Sequence, residues 1–358
     1  MRRQFKKGKR IVIKIGSSVL TSSNGQLDTN LVAKIVKQVS SIIKSGKEVV
    51  LVSSGAIASG MSELGFKCRP SKLSCLQASA AIGQSLLMQT YINLFKKKKL
   101  RCAQVLLTWD DFHVRSRYLN AKETMFSLLS YKTIPIINEN DTVSTEEIRR
   151  GDNDHLSALV ASLLEADLLI LLSDVDGLFS GKQLVSEVKN IDSGIQKLAK
   201  DTKKKHVSRG GMLSKLEAVN IASHAGISSV IANGRTKEVI LKILDGEKVG
   251  TVILPKADRM VAKKRWMAFG VKSNGKLFVD DGAKEALVKK FKSLLCPGLI
   301  RVEGKFDAGD IVAVADKNGK EFAKGKVNFS KEELNNIKGK KVSKEAIHRN
   351  NLVITVKE

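Results

Sequence analysis

Apolar and polar positions along the chain change period repeatedly. A β-branched run, Ile11-Val-Ile-Lys-Ile15, stops at Gly16, and the next apolar residues, Leu31, Val32, Ile35, Val36, Val39, Ile42 and Ile43, recur with helical spacing. Asp28 stands where such a helix needs an N-cap and Gly46 where it needs a stop. A second apolar run, 49–52, breaks at Ser53-Ser54-Gly55. Further strand-like runs at 102–107, 133–137, 168–172 and 229–232 are each separated by a helix-length segment. This alternation predicts an α/β fold, a doubly wound, mostly parallel open sheet whose ligands lie beyond the carboxyl ends of its strands.

After about residue 256 the rhythm shortens to runs at 277–279, 299–302 and 311–315, with Asn318-Gly319 introducing another strand as a hairpin signal. The pattern predicts a small C-terminal β-rich domain. The expected boundaries are 1–257 for the larger domain, 258–275 for a linker containing Lys263-Lys264-Arg265, and 276–358 for the smaller domain. A chain of 358 residues is long enough for two such cores.

Composition adds one unusual feature, a net charge of +26. A positive field attracts polyanions and leaves nucleic acid open as a partner. The excess is spread through both parts of the chain rather than concentrated in one module, which fits a lysine-rich bias and a preference for anionic small substrates. Cys68, Cys75, Cys102 and Cys296 show no C-x-x-C spacing, so neither a zinc site nor a disulfide framework is indicated, and a reducing cytoplasm fits. The apolar run 158–172 is interrupted by Glu165 and Asp167, and no segment reads as a membrane span.

Candidate chemistry collects at strand ends. No Gly-Lys is followed by Ser or Thr, which excludes the Walker phosphate loop, and H-E-x-x-H, G-x-S-x-G and H-x-E are missing too. Lys14 interrupts an apolar strand just before Gly16-Ser17-Ser18; it either faces solvent on an edge strand or aims an ammonium at phosphate oxygens. Ser53-Ser54-Gly55-Ala56 suits either a helix cap or a carboxylate site. Asn138-Glu-Asn-Asp141 and Gly151-Asp-Asn-Asp154 bracket one loop after a buried strand, a composition fit for an amino acid's ammonium and carboxylate as well as for plain turns. Ser173-Asp174 ends another strand, and Arg209-Gly-Gly-Met-Leu-Ser-Lys215 opens a helix whose amides and lysine suit phosphate.

The order and wording of these segments, 12–20, 52–58, 135–143 and 151–158, closely resemble the amino-acid kinase family, and within it the branch that phosphorylates glutamate. Segments 279–287, 293–298 and 302–310 resemble the PUA domain carried by bacterial members. The resemblance implies ATP-dependent phosphorylation of the γ-carboxylate of L-glutamate, the first step of proline biosynthesis. It implies that Lys14 and Lys215 stabilise the transferring phosphoryl group while Asp154 orients both. Ser54, Asn138, Asp141 and Asn153 would hold glutamate. Lys14, Ser173, Asp174, Arg209, Gly210, Gly211, Met212, Leu213, Ser214 and Lys215 would line the ATP site. Arg209 replaces a usual small residue, and Leu213 stands where a hydroxyl is common. The implied cofactors are ATP and Mg²⁺, the metal riding on the nucleotide with no dedicated protein ligands. The implied assembly is a homo-oligomer, dimer or tetramer, with functional coupling to glutamate-5-semialdehyde dehydrogenase and proline feedback. Competing readings are a sister kinase for acetylglutamate or aspartate and a PUA-containing RNA-binding protein.

Overall fold

A computed structural model describes residues 2–22, 25–144, 153–201, 211–256 and 260–355, and within these the chain divides into two compact units. The first comprises Met1–Asp111 with Arg115–Arg259, the second Phe112–Val114 with Met260–Glu358.

An eight-stranded sheet forms the centre of the first unit. Its first five strands in the chain are β1 (Arg10–Ile15), β2 (Glu48–Ser53), β3 (Arg101–Leu107), β4 (Thr133–Glu139) and β5 (Leu168–Ser173). In space they run β3-β4-β2-β1-β5, all parallel, and Ser228–Asn233 continues the parallel run beside β5. Every predicted strand of this unit is present, extended by a residue or two at its ends. Thr251–Ile253 adds an antiparallel strand and Glu187–Val188 closes the edge; both are too short to carry a readable apolar period. β1 and β5 are apolar throughout because helices cover both faces of a parallel sheet, and residues 11–15 and 168–173 are all buried.

The helix Thr29–Lys44 begins as its sequence indicates: Leu31 N–H donates to Asp28 Oδ1 at 2.9 Å. Gly46, at φ +87°, ends it in the left-handed region that a Cβ would strain. Ala56–Glu63 and Leu73–Lys96 approach more closely than side chains allow. A Cβ on Gly60 would lie 1.8 Å from Ser79 O, and one on Gly83 1.8 Å from Ala56 O.

The second unit has its own five-stranded sheet, ordered Leu299–Gly304, Gly275–Val279, Ile311–Ala315, Glu321–Lys326, Leu352–Ile354. Gly319 takes φ +83° in the turn before Glu321–Lys326, as the Asn-Gly pair predicts. Helical turns at Ala262–Arg265 and Trp266–Gly270 precede the sheet, and Met267 and Ala268 pack with Ile311 and Val353.

Candidate active site

Four parallel strands deliver polar groups at their carboxyl ends: Lys14 on β1, Ser53 on β2, Asn138 and Glu139 on β4, and Ser173 on β5. β1 pairs with β2 on one side and β5 on the other, so Lys14 lies mid-sheet and its side chain is about 7% exposed. The edge-strand reading of Lys14 is thereby eliminated.

A buried ammonium needs a counter-charge, and Asp154 supplies it from the first turn of the helix Asn153–Leu163. Asp154 is fully buried; its Oδ1 pairs with Lys14 Nζ, and its Oδ2 accepts from Lys215 Nζ at 3.1 Å. Burial pushes the Asp154 carboxyl up, but the charges and hydrogen bonds of Lys14 and Lys215 outweigh it and hold the group below the usual carboxylate range. The three groups carry a net positive charge in a water-poor setting, which an incoming anion would neutralise. Lys215 lies in the first turn of Met212–His224, where the helix's free amides add to the same positive potential. Ser214 joins the cluster, its hydroxyl 3.0 Å from Gly211 O and 3.4 Å from Asp154 Oδ2.

Gly16 completes this end of the site. Its N–H donates to Leu172 O at 3.0 Å, and a Cβ there would lie 3.2 Å from that oxygen and 3.7 Å from Lys14 Nζ. Arg235 holds the following turn, donating to Ser18 O at 3.1 Å and Thr21 O at 2.6 Å.

The second group of predicted residues forms one polar network. Asn153 Nδ2 lies 3.0 Å from Ser53 O, 2.9 Å from Ser54 Oγ and 2.9 Å from Asn138 Oδ1. Asn138 Nδ2 donates in turn to Gln84 Oε1 at 2.8 Å. Beside this network a small recess, open to solvent, is lined by residues that include Ala56, Gln84, Glu139 and Asp141. The fold therefore brings Ser54, Asn138 and Asn153 into direct contact and sets Asp141 on the neighbouring wall.

Ser173 ends β5 with its hydroxyl 3.0 Å from Asp174 Oδ1. Gly211 caps the helix that begins at Met212; Met212 is buried and Leu213 half-buried, so Met212 is part of the packed interior. Arg209 and Gly210, like Gly151 and Asp152 of the acidic motif, lie outside the described residues. Among the described residues no group of three or more His, Cys, Asp and Glu side chains could hold a metal ion, and no helix is long and apolar enough to cross a membrane.

Sequence reasoning missed Gln84 and Tyr91. Ser53 Oγ and Tyr91 OH lie 3.0 Å apart, and burial pushes the Tyr91 phenol up to about 12 despite its bond to Ser53. Gln84 was detectable: it sits four residues from both Ala80 and Met88 on the buried stripe of its helix, where an apolar residue is expected.

The amino acid kinase family model matches residues 9–233 and the PUA domain model residues 275–348. A glutamate 5-kinase of Caldanaerobacter subterraneus subsp. tengcongensis is 46% identical, with 96% of this chain and 97% of the relative covered. One from Methylococcus capsulatus is 44% identical, with 99% of each covered.

Proposed function

The chain belongs to the amino acid kinase family, and from that premise we propose that Lys14, Asp154 and Lys215 are the phosphoryl-transfer centre of its reaction. That reaction is ATP-dependent phosphorylation of L-glutamate on its side-chain carboxylate, giving L-glutamyl 5-phosphate and opening proline biosynthesis. The observation that carries the assignment is the buried, net-cationic cluster at the carboxyl ends of the strands.

A carboxylate is already nucleophilic at neutral pH, so no general base is needed. The barrier is electrostatic: an anion approaches a polyanion, and charge spreads over the phosphoryl oxygens as the bond to ADP loosens. Lys14 and Lys215 meet that charge, and Asp154 holds both ammonium groups in place before substrate arrives, so little reorganisation is left for the transition state. The Gly16 backbone admits a phosphate where a side chain would crowd Leu172 O. Ser173, Asp174, Gly211, Leu213, Ser214 and Lys215 line the nucleotide side. Mg²⁺ fits as a nucleotide-borne ion, since the one fully buried acid of the cluster is already committed to two lysines; it would lower the charge on the phosphates.

Glutamate binds along Ser54, Asn138, Asp141 and Asn153. The Asp141 carboxylate faces the α-ammonium, which selects against an acetylated amine. We take 1–257 as the kinase domain, 258–275 as the connection and 276–358 as the PUA domain. A homo-oligomer, dimer or tetramer, coupling to glutamate-5-semialdehyde dehydrogenase and a cytoplasmic setting complete the reading.

The test is ATP-dependent trapping of the acyl phosphate with hydroxylamine, using glutamate, acetylglutamate and aspartate in parallel. Efficient turnover of glutamate alone is expected; equal turnover of acetylglutamate would overturn the assignment of Asp141.

A further inference from the structure

The structure assigns Gln84 as a positioning residue that sets the glutamate site through Asn138 and Asn153, and this rests on the glutamate-kinase reading above. Gln84 is about 9% exposed on the helix Leu73–Lys96. It belongs to a line of four side-chain amides, Gln104, Gln84, Asn138 and Asn153, in which each nitrogen meets the next oxygen: Gln84 Nε2 to Gln104 Oε1 at 3.2 Å, Asn138 Nδ2 to Gln84 Oε1 at 2.8 Å, and Asn153 Nδ2 to Asn138 Oδ1 at 2.9 Å.

Backbone groups dictate the direction of this line. Glu139 N–H, which can only donate, lies 2.9 Å from one Asn138 side-chain atom, so that atom is the oxygen. The other Asn138 atom is then the nitrogen, and the Gln84 atom it meets must be oxygen. Ser53 C=O, which can only accept, lies 3.0 Å from one Asn153 atom, so that atom is the nitrogen. Asn153 Oδ1 is consequently the remaining atom: it is buried, with no donor among the described residues. An acceptor left in that state is matched by a ligand that brings N–H groups, as the α-ammonium of glutamate does.

Removing the Gln84 acceptor would orphan Asn138 Nδ2 inside the fold. Asn138 cannot escape by turning its amide, since that would set Nδ2 against the Glu139 N–H. It must instead move, and Asn153, bonded to it and to Ser54, moves with it. Gln104 differs: it is exposed on β3, and its one described side-chain bond is to Gln84, so its amide can turn freely.

Three variants test the assignment by steady-state kinetics and by calorimetric binding of glutamate without nucleotide. Gln84→Met, which keeps the length but cannot accept strongly, is expected to raise the KM and Kd for glutamate about tenfold, the effect of one lost buried hydrogen bond. The KM for ATP should stay within about twofold. Gln84→Glu keeps the acceptor toward Asn138, and Gln104 can turn to donate to it, so this variant is expected within about threefold of the unsubstituted enzyme. Adding Gln84→Met to Asn138→Ala should change the glutamate KM by less than about twofold, because the group through which Gln84 acts is already gone. Full additivity in that pair would overturn the proposal by showing that Gln84 acts directly on substrate or on the fold at large. Parallel rises in both KM values, or Gln84→Glu no better than Gln84→Met, would overturn it too. Should Gln84→Met not fold, the Asn138→Ala background and Gln84→Glu still decide. Failure of the unsubstituted enzyme to bind or phosphorylate glutamate would instead sink the parent reading.

Discussion

Substituting Lys14 by methionine tests the phosphoryl-transfer centre directly, because methionine keeps the apolar stem of lysine in its packed position and removes only the charge. With Lys14, Lys215 and Asp154 present the cluster is net positive; without Lys14 it is neutral, so the attraction for the transferring group is lost rather than halved. A unit charge ~4 Å from a phosphoryl oxygen contributes ~4 kcal/mol at an effective dielectric constant near ~20. Loss of one preorganised donor elsewhere costs roughly 10²- to 10³-fold in rate, consistent with that figure. The expected result is a fall in kcat of about that size with the glutamate KM within about threefold, since charge on the phosphoryl oxygens develops fully only in the transition state. Folding should survive. Breaking a buried ion pair normally costs ~3–5 kcal/mol, but Asp154 retains Lys215 at 3.1 Å and Ser214 at 3.4 Å, and the repulsion between two ammonium groups is relieved. The melting temperature is therefore expected to be no lower than in the unsubstituted enzyme. Lys14→Arg should rescue little, because a planar guanidinium cannot place a compact charge in the space of an ammonium. Stopped assays with radiolabelled ATP, together with thermal melts, provide the readout. A folded Lys14→Met enzyme with kcat within about threefold of the original would refute the mechanism.

Acid should destabilise the kinase unit through Asp154: its folded pKa lies below the ordinary 3.8, so its stabilising contribution is complete above that pH and is lost as pH falls from there through the folded value. Urea melts over that range should show the loss, and Asp154→Asn should flatten it; an unchanged pH slope in the variant would exclude Asp154 as the source. Gly83→Ala forces a Cβ to 1.8 Å from Ala56 O, which should cost at least about 3 kcal/mol and raise the glutamate KM by displacing the helix that follows Ser54. Circular-dichroism melts with kinetics at saturating ATP check it, and a neutral substitution would mean that the two helices separate without consequence. A chain ending at Lys256 should fold and retain phosphoryl transfer, because the first unit has a core of its own. A truncated protein with native circular dichroism and no activity would show that the second unit is needed for catalysis.

Local information in the sequence was enough for much of this architecture. The strands β1 to β5 alternate with helices because each apolar run has its own period, and that period is written into consecutive residues. The cap at Asp28, the stop at Gly46 and the turn at Asn318-Gly319 are equally local, each resting on one side chain or one permitted backbone angle. Resemblance to a family, rather than period or spacing, linked Lys14, Asp154 and Lys215 in advance. Tertiary structure decided what each polar residue experiences. Lys14 could have faced solvent on an edge strand; only its placement between β2 and β5 buries the ammonium and makes Asp154 obligatory. Gln84 reads locally as a polar interruption in an apolar stripe, and nothing in neighbouring residues says that it meets Asn138, 54 positions away. The physical reason is common to both residues. A strand or helix forms from interactions within a few residues, whereas burial and hydrogen-bond partnership depend on which elements the whole chain sets side by side.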